Sequence, residues 1–274
     1  MTKPPSSDNI AVCESVDPSY VSRDIAFDKY KKLHPSISFA QFRGQKIAAG
    51  LQAGKAHFSL GSNLRDASGK QQDFWTAGAA VAERYFKEMR LKPHHRVIDY
   101  GCGSLRVGAH FIRFLNPGCY FGVDVVPDFF NIGRALIGEE LLSEKRPLLR
   151  VINPSTIAEA ADFHADFVFS AAVCIHVHPD ELTEYFEQLM RLTACPGAQL
   201  HINAALSDAP IRFRYESWAW PLKRYRTGLP ELRLIQSPPG HEILKPLLLS
   251  LGIGGFKRHG AHRVWKSHLV FRRR

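Results

Sequence analysis

The chain has no apolar run approaching the roughly eighteen residues of a membrane span, and residues 1–22 carry no apolar stretch of the secretory kind. A soluble, cytoplasmic protein is the expectation. Its five cysteines, Cys13, Cys102, Cys119, Cys174 and Cys195, are odd in number, scattered and never spaced C-x-x-C. That pattern argues against a disulfide framework and a zinc site, and leaves buried free thiols. Acidic residues are scarce at one end only. Residues 201–274 hold 14 Lys and Arg against 4 Asp and Glu, while the chain before them balances at 22 against 22, so the whole +10 net charge is C-terminal. Such an end suits an acidic partner such as a phosphate, a uronate, RNA or an anionic membrane surface. It equally suits a solvated face with no partner.

The 45% hydrophobic content supports a real core, and a single α/β domain with an N-terminal extension is the simplest organisation. Residues 1–22, rich in Pro, Ser and Asp, read as a flexible leader. Residues 23–76 read as a helical cap with a lid loop. Within them Ile25, Phe27, Tyr30 and Leu33, then Phe39, Phe42 and Ile47, recur near helical spacing and predict two helices with one apolar face. Gly54, Gly61, Gly69 and Gly78, with Ser, Asn and Asp between them, predict a loop able to fold over a ligand, before a helix over Ala79–Met89. Residues 77–274 form the main domain, with a substrate-binding insertion at about 205–236.

The most informative stretch is residues 96–124. Val97 and Ile98 form an apolar strand ending in Asp99, Gly101 and Gly103 allow a tight turn with close backbone approach, and a helix and second strand follow. Asp124 ends that strand about twenty residues beyond Gly103, the spacing of a ribose-binding carboxylate. A ribose-bearing ligand is therefore expected. A dinucleotide would place its pyrophosphate at the glycine turn and helix start. Asp99 would repel that charge, and Arg106 stands where the third glycine of a G-x-G-x-x-G fingerprint belongs, the next glycine being Gly108. S-adenosylmethionine fits better, because it is cationic and phosphate-free and its ribose still needs an acid.

Asp99-Tyr100-Gly101-Cys102-Gly103 resembles the first motif of class I S-adenosylmethionine-dependent methyltransferases, and Gly122-Val123-Asp124 their second. Asp166 to Ser170 through Cys174-Ile175-His176 resembles their fourth-strand motif, and Pro196 to Leu200 the turn into their fifth strand. All four occur in order over residues 76–274. The resemblance implies a Rossmann-like, doubly wound, mostly parallel seven-stranded sheet with an antiparallel C-terminal hairpin. The alternation of elements points the same way: apolar residues run from Pro127 to Leu142, strands follow at Leu148–Ile152, Phe167–Cys174 and Gln199–Ala204, and Asp180 caps a helix to Leu192. A helix over 240–251 and strands near 252–259 and 267–272 close the domain.

The resemblance also implies the site. Asp99, Gly101 and Gly103 would hold the methionine portion, Asp124 the ribose with Val125 beside it, and Asn153 and Ser170 would complete the rim at the strand ends. Arg106 would fork onto the methionine carboxylate or lie on the surface. Trp75 would stack on adenine or pack as part of an aromatic pair with Phe74. His176 is the first candidate general base and His178 the second, with packing as the competing role for His176 and, with Asp180, a metal site as a remote one. No metal is needed for methyl transfer. Arg214, Tyr215, Trp218 and Trp220 would bind the acceptor, or form a lid with rings inward and cations outward.

The expected activity is methyl transfer to oxygen or nitrogen of a small or medium-sized, anionic acceptor, a sugar or natural-product intermediate being favoured over a macromolecule. Ser170-Ala171-Ala172-Val173 stands where methyltransferases of base amino groups often carry an N-P-P-Y-like tetrad. An RNA methyltransferase using the basic C-terminal region, a nonenzymatic S-adenosylmethionine-binding protein and, last, a nicotinamide oxidoreductase remain as alternatives.

Overall fold

The computed structural model describes residues 11–12, 27, 29–55, 57–60, 73–214, 217–236, 257–259 and 262–274. Most of the expected leader, the centre of the glycine-rich loop, Tyr215 and the expected helix over 240–251 lie outside these residues. Two compact units are distinguished: residues 43–169 with 191–198, and residues 1–42 with 170–190 and 199–274.

The first unit is a parallel α/β layer. Helix α1 (Phe39–Gln52) leads into it, and α2 (Phe74–Met89) follows. The aspartate Asp73 caps α2, accepting the Thr76 N–H at 2.7 Å, so this helix begins five residues before the predicted Ala79. Strands β1 (Val97–Tyr100), β2 (Tyr120–Asp124), β3 (Leu148–Val151) and β4 (Phe167–Ser170) enter in the order β4-β1-β2-β3, all parallel. Each of β1, β2 and β4 is buried along its length, as the continuous apolar runs of a two-sided parallel sheet require. Helix α3 (Gly108–Phe114) and the pair α4 (Pro127–Ile137) and α5 (Glu139–Lys145) connect the strands. The apolar run to Leu142 is divided between two helices at Gly138, whose φ of 91° no helix continues through. Helix α6 (Pro154–Asp162) starts at a proline in its first turn. The core stacks Phe111 on Phe169, with ring centroids 4.7 Å apart, beside Tyr85 and Phe86.

The second unit is mostly antiparallel, with Ala11–Val12 pairing parallel to Ile211–Arg212. Strand β4 ends at Ser170 rather than Cys174, and the chain turns through a positive φ at Ala172 into a short 3-10 turn, Cys174–His176. A second turn, Pro179–Glu181, precedes α7 (Leu182–Leu192). Asp180 is thus not the helix cap; its own N–H is received by the His178 ring. Leu182, Tyr185, Phe186 and Leu189 bury one helical face. Strand β5 (Gln199–Ser207) runs three residues past its expected end. The expected irregular insertion is ordered: β6 (Ile211–Arg214) and β7 (Ser217–Ala219) pair antiparallel, α8 (Leu222–Gly228) follows, and β8 (Leu232–Gln236) joins the sheet. Strands β9 (Lys257–His259) and β10 (His262–Arg273) close it, β10 pairing antiparallel with β5, β8 and β9. Parallel β1–β4 followed by antiparallel C-terminal strands is the Rossmann-like class expected.

Of the N-terminal cap, residues 29–33 and α1 are helical, and Phe27, Phe39 and Phe42 are buried. Leu33, predicted on the apolar face, is 78% exposed. The start of α1 is capped by a residue distant in sequence: Glu181 accepts the N–H groups of Phe39 and Ala40. Burial raises the Glu181 carboxyl while those two N–H donors pull it down.

Candidate functional site

Between β1 and α3 the chain makes the predicted tight turn. Gly101 and Gly103 have φ of 78° and 54°, the left-handed region where a side chain is strained. The N–H groups of Gly101 and Cys102 both donate to Val123 O, at 2.7 and 3.0 Å, which ties the turn to β2. Asp124, at the carboxyl end of β2, completes the tie: its Oδ2 accepts the Gly103 N–H at 2.8 Å and its Oδ1 the Val126 N–H at 2.9 Å. Burial raises the Asp124 carboxyl, while the N–H groups of Val126, Gly103 and Val125 and the charge of Arg43 pull it down. Val125 follows on the same rim and is 38% exposed, unusual for a valine beside a buried acid.

Asp99 is placed differently from expectation. It is 2% exposed, and its Oδ2 accepts the Tyr120 hydroxyl at 2.7 Å. A Cβ on Gly108 would lie 2.1 Å from that hydroxyl and 3.3 Å from Asp99 Oδ2, so both groups are set directly beneath the start of α3. Asp99 therefore acts from below the glycine turn rather than lining it. Burial lifts its carboxyl to about 8, opposed by the Tyr120 hydrogen bond and reinforced by Asp124. Cys102 is buried in the turn with its thiol pushed well up by burial, a packing group as expected.

Other expected ligand contacts are engaged elsewhere. Arg106 is not a helical residue but part of the turn before α3, and its Nη1 donates to Ala77 O of α2. Burial lowers its pKa. The Asn153 amide is committed to capping α6: Oδ1 accepts from Thr156 N at 2.9 Å and Ser155 Oγ at 2.6 Å, and Nδ2 donates to Val151 O. Ser170 is fully buried and accepts the Tyr185 hydroxyl at 2.9 Å. Trp75 has the Arg113 guanidinium over its ring at 4.0 Å and an edge contact with His110, which leaves its expected adenine face occupied. Each of these side chains meets a nearer partner than a cofactor.

In the second unit, β4 does not continue to His176 and His178, and His176 lies in a 3-10 turn. His176 is half-buried. His178 Nδ1 receives the Asp180 N–H at 3.3 Å, so the neutral ring carries its proton on Nε2, and the ring packs among Phe27, Phe39 and Trp218. With Asp180 these two histidines form no three-ligand cluster among the described residues. Trp218 and Trp220 are 3% and 4% exposed, whereas Lys223 and Arg226 face solvent. The indoles are thus core groups. Arg214 lies in β6, and Tyr215 falls outside the described residues.

Residues absent from the sequence reading stand near the turn. Arg43 on α1 acts on the Asp124 carboxyl, and a Cβ on its neighbour Gly44 would touch Val125 O at 3.4 Å. Ser59 lies against Gly103, and Ser104 Oγ donates to Ser59 O at 2.6 Å. His57 packs on Phe129 of α4, with centroids 5.2 Å apart. No spacing rule links residues 43–59 to a turn at 101–103; the sequence offered only the glycine-rich character of 54–78.

No protein-family model matches the chain, and no curated protein matches it in sequence. Solved structures do resemble it. The 4+2 cyclase SpnF superposes with a TM-score of 0.58 at 13% identity, over 85% of this chain and 96% of its own. A Galdieria sulphuraria protein described as a sarcosine dimethylglycine methyltransferase gives 0.53 at 13% identity, over 82% and 96%. A geranyl diphosphate methyltransferase solved with S-adenosylmethionine gives 0.50 at 14%, over 72% and 85%. Two methyltransferases and a cyclase share this architecture, so the likeness establishes the Rossmann-like fold of the chain and leaves its chemistry to the residues of the site.

Proposed function

We propose that the chain binds S-adenosylmethionine at the carboxyl ends of β1 and β2 and transfers its methyl group to a small or medium-sized acceptor. The observation that carries this reading is Asp124, a carboxylate held at the strand end by the Gly103 and Val126 amides, with exposed Val125 beside it. A carboxylate has about four acceptor sites, and two hydrogen bonds leave room for ribose hydroxyls. The donor set does not fit a pyrophosphate. Helix α3 begins five residues after Gly103, so its N-terminal amides are set away from the glycine turn on which a pyrophosphate would rely. Similarity to a methyltransferase solved with S-adenosylmethionine supports the choice of nucleoside.

The bound cofactor supplies a sulfonium-activated methyl group. The residues supply alignment: Gly101 and Gly103 let backbone approach the ligand closely, Asp124 fixes the ribose, and Asp99 holds the turn from beneath through Tyr120. His176 is proposed as the base that takes the acceptor's proton, because His178 is committed through Nδ1 to Asp180 N–H and through its ring to an aromatic cluster. Equilibrium titration with S-adenosylmethionine and with nicotinamide dinucleotides tests the cofactor, saturable binding of the former alone being expected. Transfer of labelled methyl groups into fractionated cell extract then tests the reaction. His176→Ala should lower turnover with little change in cofactor affinity; unchanged turnover on an identified acceptor would remove the base assignment.

A second reading, methylation of RNA, draws on the C-terminal edge. Arg233 of β8 stands directly across from Arg272 of β10, both exposed, with Arg274 exposed nearby. Like charges in a cross-strand pair repel, and a phosphate backbone would relieve that repulsion. Retention on RNA that falls steeply with salt would favour this reading over a small acceptor.

A further inference from the structure

The turn that presents His176 is entered under strain and held from both sides. Ala172 has a φ of 60°, the left-handed region that costs any residue with a Cβ, so contacts around it must hold the chain there. Two tyrosines supply them. On the β4 side the Tyr185 hydroxyl of α7 donates to Ser170 Oγ at 2.9 Å. On the far side Cys174 Sγ donates to the Tyr225 hydroxyl of α8 at 3.4 Å, and that hydroxyl makes a longer bond to Ala205 O of β5 at 3.5 Å. All four side chains are buried. Burial pushes the Cys174 thiol up to about 12 and the Tyr225 hydroxyl well above its ordinary value, so each keeps the proton it donates. Ile175, between Cys174 and His176, packs against Ala205 and Ala219. The 3-10 turn Cys174–His176 is therefore gripped by β5, β7 and α8.

We infer that Tyr225 is a positioning residue for the proposed methyl transfer, its hydroxyl holding Cys174 and, through it, the turn that carries His176. The inference rests on the assignment of His176 as base in the reading above. Packing alone does not call for the hydroxyl: the Tyr225 ring meets Phe186 edge-on, with centroids 5.8 Å apart, and a phenylalanine would keep that contact. A buried hydroxyl costs free energy unless it is bonded, and this one is bonded to the turn. Without that bond, Ala172 can relax from its left-handed conformation and carry His176 with it. Proton transfer requires the base within hydrogen-bond reach of the acceptor, so a displacement of about an ångström slows the step. Tyr225 lies within the segment 205–236 expected to bind the acceptor, and its part in the reaction is to hold the base.

Tyr225→Phe deletes the hydroxyl and keeps the ring; Cys174→Ala removes the other end of the same bond and serves if the first variant does not fold. Each is read in two ways. In the extract fraction that the unaltered protein methylates, turnover at saturating S-adenosylmethionine should fall about ten- to a hundredfold with cofactor affinity unchanged. In protein with isotope-labelled histidine, the His176 ring signals, identified by their loss in His176→Gln, should titrate at a different pH in both variants while those of His34 titrate as before. The double variant should be no slower than the worse single one, because the two changes break one bond. A His176 titration and a turnover that both variants leave unchanged would overturn the inference. So would losses that add in the double variant. Unchanged transfer in His176→Ala would instead remove the base assignment, while the His176 titration in Tyr225→Phe still reports whether the turn is held, so the two failures are distinguishable.

Discussion

Asp124→Asn separates the structural tie made by this carboxylate from the ribose binding proposed for it. In the wild-type chain Oδ2 receives the Gly103 N–H at 2.8 Å and Oδ1 the Val126 N–H at 2.9 Å. An asparagine keeps one oxygen for one of these donors and sets its own NH₂ against the other. One buried amide is left unpaired, and the expected loss of stability is about 1–3 kcal/mol. The ligand side of the ledger is separate. Ribose hydroxyls donating to a carboxylate are charge-assisted bonds worth about 1.5–3 kcal/mol, so affinity for S-adenosylmethionine should fall about 10- to 150-fold. Urea unfolding of the free protein reads the first effect, and equilibrium titration far below the unfolding midpoint reads the second. If stability falls as expected while affinity stays within about twofold, the carboxylate only ties the turn to β2, and the ribose assignment is refuted.

Two further outcomes follow from the buried pair under α3. Gly108→Ala places a methyl group 2.1 Å from the Tyr120 hydroxyl, an overpacking that should cost about 1–3 kcal/mol or more. In a Tyr120→Phe background part of that cost should return, which urea midpoints of the single and double variants will show; full wild-type stability in Gly108→Ala alone would contradict the packing. Asp99 gives a pH signature: its carboxyl ionises near 3.8 when exposed and about 8 when buried in the fold. The native state therefore holds a proton that the unfolded chain has lost throughout that window, and this residue's contribution to stability declines as pH rises from about 4 to about 8. Unfolding free energies of wild type and Asp99→Asn at pH 5 and pH 9 should shift in favour of the asparagine variant at the higher pH. A pH-independent difference between the two would mean that Asp99 is ionised in both states.

The strand–turn–strand unit was legible because its determinants are local. Positive φ at Gly101 and Gly103, the apolar run of β1 and the spacing to Asp124 are properties of adjacent residues, and pattern alone specifies them. The breaks were less legible where a short sequence suits two conformations. Apolar residues continue through Gly138 at helical spacing, yet its φ of 91° ends α4, and the apolar run beyond Ser170 turns at Ala172 instead of extending β4.

Several side chains expected at the ligand have partners within the fold. Asn153, Ser170, Trp75 and Arg106 are residue types that bind nucleosides well, but Thr156, Tyr185, Arg113 and Ala77 meet them first. A polar or aromatic group satisfied within the fold has little left to offer a ligand. Conversely, Arg43, His57, Ser59 and Tyr120 carry no motif of their own. They matter because packing brings α1, the 57–60 turn and β2 to the glycine turn. By itself the sequence determined the bend of the backbone at Gly101 and Gly103 and the place of Asp124 at the end of the neighbouring strand, since both depend on neighbours along the chain. Only tertiary structure decided which side chains remain to touch the ligand, because that depends on competition for hydrogen-bond partners among residues tens of positions apart.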